Sequence, residues 1–105
     1  MNARFFSIVI AAALAAPAIA SPTTRVVVNP SSIFIYSSNS EDKGFNCALN
    51  FTWAHDSFGE KKVNRSSNSI FVPAKYSDGE ILRIVGSYVN VRIEGPVDFQ
   101  CNRIN

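Results

Sequence analysis

The stretch Phe45-Asn46-Cys47-Ala48-Leu49-Asn50-Phe51-Thr52-Trp53 decides the fold. Phe45, Cys47, Leu49, Phe51 and Trp53 fall on one side of an extended chain, with Asn46, Asn50 and Thr52 on the other. A period of two is the mark of a strand with one face on a core and one in water. No later stretch keeps helical spacing for more than one turn, whereas alternation and β-branched residues recur, so the chain reads as all-β.

On the downstream side, Asp56 to Gly59 reads as a turn and Glu60 to Arg65 as a polar edge strand, where Lys61 and Lys62 discourage pairing with another copy. Ser66 to Asn68 reads as a loop, Ser69 to Val72 as a strand stopped by Pro73, and Tyr76 to Gly79 as a turn. Upstream, Arg25 to Val28 and Ser32 to Tyr36 are strands separated by Asn29-Pro30, which suits an edge or a kink, and Ser37 to Gly44 is polar loop.

Ile81 to Val85 and Tyr88 to Glu94 flank Gly86-Ser87, and glycine in first place suits a two-residue type II′ turn. That hairpin pairs Val85 with Tyr88, Ile84 with Val89 and Leu82 with Val91. A second turn at Gly95-Pro96 places Ile93 opposite Val97, Val91 opposite Phe99 and Arg92 opposite Asp98. The expected fold is a small antiparallel β-sandwich or partly open barrel with a C-terminal three-stranded meander and one disulfide.

Cys47 and Cys101 are the only cysteines, and both lie on core-facing parities. Joined in an oxidising compartment, they would tie the long strand to the last one and stabilise by about 4 kcal/mol in the chain-entropy model. Zinc lacks ligands, since His55 is the one histidine, and no metal or cofactor site is expected.

Met1 to Arg4 carries a positive charge, Phe5 to Ala16 is apolar apart from Ser7, and Ala18-Ile19-Ala20 supplies the small residues that a signal peptidase reads. Residues 1–20 are therefore expected to be a signal peptide and residues 21–105 a single exported domain, periplasmic or extracellular. The apolar run is about a dozen residues, short of the roughly 20 that span a bilayer as a helix. With Arg4 removed, nine Lys and Arg face eight Asp and Glu, a net charge of +1. That near neutrality, with export, disfavours nucleic acid, and the cluster Lys61, Lys62 and Arg65 reads as a solvated edge. A domain of 85 residues buries only about 60–65% of its unfolded surface, a shortfall that small exported domains meet with a covalent staple.

A tryptophan and two cysteines on inward faces resemble the immunoglobulin arrangement, and the Val28-Asn29-Pro30 kink is similar to the split first strand of such sandwiches. Trp53, however, follows Cys47 on one strand, and Phe99 stands where a corner tyrosine would be. The likeness is architectural and assigns no family.

Chemistry is sparse. His55 and Asp56 are adjacent, which on a strand points them to opposite faces. Asp78 with Glu80, and Asp56 with Glu60, are explained by turn chemistry, not by a calcium loop. Asn50-Phe51-Thr52 and Asn64-Arg65-Ser66 match the glycosylation pattern. The expected outer face of the meander gathers Ile81, Val85 and Tyr88 beside Arg83 and Arg92, the composition of a protein-binding patch. The leading expectation is a small non-enzymatic binding module, such as an inhibitor, a host-directed factor or an accessory subunit. It would act on a protein or cell-envelope partner through a sheet face or edge strand. The alternative is a small exported hydrolase using His55 and Asp56. Intact-mass measurement of exported material should find a chain beginning at Ser21; retention of Met1 to Ala20 would make the protein membrane-tethered instead.

Overall fold

The computed structural model describes residues 19–104, so the expected signal peptide lies, but for its last two residues, outside the described residues. Six strands follow in order: β1 Thr23–Asn29, β2 Ser32–Ser38, β3 Phe45–Ser57, β4 Glu60–Val72, β5 Gly79–Val85 and β6 Val89–Arg103. They form two antiparallel three-stranded sheets, β1-β2-β5 and β4-β3-β6. The inner faces meet in a small sandwich: Ile33 and Ile35 of β2 pack with Leu49, Phe51 and Trp53 of β3 and Val91 of β6. A second cluster of Phe45, Cys47 and Val72 fills the other end.

β3 is the strand its alternation requires, with Phe45, Cys47, Leu49, Phe51 and Trp53 all buried. It is central, pairing with β4 on one side and β6 on the other. The β3–β4 ladder is unbroken from Phe45↔Val72 to Ser57↔Glu60. Ser66 to Asn68, expected as a loop, therefore lies inside a single strand: it contains no glycine or proline, and its continuous partner holds it extended. Pro30 sits in the β1–β2 hairpin turn, between the paired Asn29 and Ser32, and not at a kink.

The C-terminal meander does not form. Gly86 lacks the positive φ of a type II′ turn, and β5 and β6 belong to different sheets. Gly86, Ser87 and Tyr88 instead carry the chain from one sheet to the other. A Cβ on Gly86 would lie 2.9 Å from the Tyr88 ring, so glycine is needed there for close packing, not for a hairpin. Gly95-Pro96 likewise makes no hairpin. Both of its arms pair with β3, and the register slips between Asn50↔Asp98 and Thr52↔Glu94. Gly95, at φ 80°, takes up the slip as a bulge on an edge strand, where proline is tolerated.

These bulges decide which side chains reach the core. The slip at Gly95 is of two residues and so keeps parity, and Val97, Phe99 and Cys101 point inward together with Ile93 and Val91. A second slip lies between Ala54↔Arg92 and Asp56↔Val89, where Asn90 has φ 55°. It turns Val89, expected inside, outward to 56% exposure, while Val91 is 6% exposed.

Cys47 and Cys101 are joined, and they face one another directly in the β3–β6 register with Cα atoms 4.0 Å apart. The disulfide thus links neighbours in one sheet, unlike the inter-sheet bond of an immunoglobulin domain. It fits an oxidising compartment. Among the described residues no helix is long and apolar enough to cross a membrane. At the same end, the Asn39 amide donates to Lys43 O and Pro73 O while its oxygen accepts from Glu41 N–H, closing the sandwich with a satisfied buried side chain. Replacing both cysteines with alanine should cost about 2–5 kcal/mol in denaturant melts, since the bridge spans a separation of 54 residues.

Candidate functional site

The five residues expected to form one patch are distributed among three places. Arg83 and Val85 remain together on the outer face of β1-β2-β5, across from Phe34 and Ser32. Ile81 falls at the slip between Ile35↔Leu82 and Tyr36↔Glu80 and packs on the core instead of facing out. Tyr88, beyond the end of β5, turns inward and meets Trp53 edge-on with ring centroids 5.0 Å apart. Arg92 lies on the other sheet, opposite Ala54. The grouping depended on the Gly86-Ser87 hairpin and falls with it.

His55 and Asp56 are divided as strand geometry requires. The His55 ring sits 5.4 Å from Trp53 and 4.8 Å from Tyr88, centroid to centroid, capping the core. Asp56 faces the opposite way. Its carboxylate accepts from Asn90 Nδ2 at 2.9 Å and from Arg92 Nη1 at 3.1 Å. The two do not form an acid–base dyad.

Asp56 belongs to a chain of charges in which Arg92 meets Asp56 and Glu94, and not Asp98 as the expected Gly95-Pro96 hairpin requires. Lys61 Nζ lies 2.7 Å from Glu94, and Arg92 Nε lies 3.7 Å from the same carboxylate. Hydrogen bonds from Asn90 and then Arg92 hold Asp56 below the usual carboxylate range. Lys61, with a smaller contribution from Arg92, does the same for Glu94. Two of the three cations of the basic cluster are also paired, Lys61 to Glu94 and Lys62 to Glu60.

The outer face of β1-β2-β5 is satisfied in a similar way. Arg25 lies 4.4 Å from the Tyr36 ring centroid and pairs with Asp78 at 2.9 Å. Arg83 lies 5.8 Å from the Phe34 centroid and pairs with Glu80 at 2.7 Å. Each arginine covers an aromatic ring while its charge is met, the arrangement of a solvated face.

The most exposed large apolar side chain among the described residues has no such cover. Phe58, at the tip of the β3–β4 hairpin, is 104% exposed, and its φ of 51° lies in the left-handed region. With Gly59 at φ 77° it makes a type I′ turn, which favours Asn, Asp or Gly at the first central position. Sequence reading placed a turn at Asp56 to Gly59 but did not single out Phe58, because its position relative to the turn depends on the exact register. Comparison with protein-family models, with curated proteins and with solved structures finds no match.

The charge chain has a definite pH signature. Asp56 and Glu94 have lowered folded-state pKa values, so the stability they supply is complete above the ordinary carboxylate range and lost as pH falls through the folded values. Asp56→Asn should lower the melting temperature near pH 7 and converge on wild type as pH falls below the lowered folded-state value of Asp56, where its carboxyl is neutral. A deficit that stays constant in melts from pH 7 to pH 2 would show that the charge of Asp56 is immaterial.

Proposed function

We propose that this protein is an exported, non-enzymatic binding module that engages a protein partner through the tip of the β3–β4 hairpin, with Phe58 as the anchor. The observation that carries this reading is the pairing of complete exposure with left-handed backbone at one aromatic residue. Burying an aromatic side chain contributes several times what an exposed ion pair does, and anchors of this kind dominate interfaces. Left-handed geometry costs a non-glycine residue about 1–2 kcal/mol, and folding gains nothing in return from a ring without contacts.

The chemistry around the tip selects the partner class. Lys62 is bonded to Glu60 and Lys61 to Glu94, so the hairpin offers an apolar knob whose neighbouring lysines are already paired. That suits an apolar pocket on a protein better than a polyanion, whose capture requires unpaired cations. The rigid two-stranded stem holds the ring in place before contact, which lowers the ordering cost of binding.

Phe58→Asn should raise folding stability by about 0.5–1 kcal/mol, because asparagine tolerates the left-handed turn. The same substitution should abolish partner capture by the mature domain from its native envelope or medium, while Arg25→Ala leaves capture intact. Capture that survives Phe58→Asn would remove the tip as the contact.

A further inference from the structure

We infer that β4 is a self-pairing edge, through which a second copy of this chain joins antiparallel about Ser67 to make one continuous six-stranded sheet. This does not rest on the role of Phe58, since the tip lies outside the paired segment.

Four strand edges are free in the two sheets, and they differ. β6 is interrupted by two register slips and β5 by one, devices that blunt an edge. β1 is regular but only seven residues long. β4 runs 13 residues against β3 without a slip.

The direction of its free backbone groups follows from the disulfide register. Cα atoms 4.0 Å apart mark Cys47↔Cys101 as a close, non-hydrogen-bonded pair, so Cys47 turns its N–H and C=O away from β6 toward Ile70. Along β4 the even-numbered residues therefore bond to β3, and the odd-numbered residues from Lys61 to Phe71 offer their N–H and C=O to the free edge.

The side chains on that edge are self-complementary about Ser67. Val63 and Phe71 are 57% and 56% exposed on the outer face, four positions on either side of it. Antiparallel pairing with Ser67 on the two-fold axis sets Val63 of each copy opposite Phe71 of the other. Cross-strand apolar pairs of this kind are the unit of sheet stabilisation.

Charge fixes the direction. Lys61, Lys62 and Arg65 all lie on one side of Ser67. In this arrangement Lys62 faces Val72 and Arg65 faces Ser69 of the other copy, whereas parallel pairing would stack each cation on its own copy. The ladder stops at Val63 and Phe71 because the next partner, Pro73, has no N–H. The cations thus exclude parallel pairing without excluding this arrangement, and the Val63–Phe71 pair selects its register.

The test uses the mature chain with its disulfide intact. Sedimentation velocity over roughly 10 µM to 1 mM, the range suited to a small interface, should show conversion of monomer to dimer. Ser67→Pro removes an N–H that faces the free edge, so it should keep the fold and weaken dimerisation by at least about tenfold. Val63→Lys, at an exposed position, carries the same expectation if the proline variant does not fold. Phe58→Asn should leave dimerisation unchanged. A wild-type chain that stays monomeric to about 1 mM overturns the inference, as does a dimer that persists in Val63→Lys or is lost in Phe58→Asn.

Discussion

The structure depends on β3 being flanked on both sides. Its alternation commits Phe45, Cys47, Leu49, Phe51 and Trp53 to one face, and those buried side chains supply most of what the β4-β3-β6 sheet brings to the core. Because the side-chain period is two, a slip of one residue would turn that whole set to solvent. β4 and β6 are therefore held to the registers that keep β3 facing inward. Cys47 and Cys101 fix one of those registers covalently, at the end where Phe45 and Val72 close the core.

This constraint explains why some of the fold is legible in the sequence and some is not. The class, β3 and the cysteine pair follow from alternation and parity, which are local. The destinations of β5 and β6 are not local. Gly86-Ser87 satisfies the composition of a tight hairpin, but β6 gains more by pairing with β3, where it aligns Cys101, Phe99 and Ile93 with Cys47, Leu49 and Trp53. Gly95-Pro96 has turn composition too, yet both of its arms have partners on β3, and the glycine serves a bulge. Local turn preference amounts to about 1 kcal/mol, which burial of a few large side chains exceeds. The expected patch disperses for the same reason, since grouping Ile81 with Tyr88 requires a hairpin that the core overrides.

Charge and aromatic surface are handled consistently outside the core. On β1-β2-β5, Arg25 and Arg83 lie over Tyr36 and Phe34 and are themselves paired with Asp78 and Glu80. On the other sheet, Lys61, Glu94, Arg92 and Asp56 form a chain with no net charge over the buried Ala54. Such exposed pairs contribute little singly. Their collective effect is to meet these charges and to cover the Tyr36 and Phe34 rings, against which one fully exposed side chain stands out.

Phe58 is that side chain, and the geometry of β3–β4 explains how its strain persists. An unbroken ladder from Phe45↔Val72 to Ser57↔Glu60 leaves two residues to reverse the chain, and the right-handed twist of the strands selects a type I′ turn for them. Gly59 accepts the required left-handed backbone freely; Phe58 accepts it only because the ladder below leaves no alternative path. A slip that relieved Phe58 would break the inward parity of Trp53 and Phe51, at a cost larger than the strain at one residue. The core therefore holds an unfavourable conformation at the tip, and it does so on a stem stiff enough to present the ring in one orientation. Selection for stability alone would place asparagine or glycine at this position, which is why the proposed partner contact is assigned to Phe58.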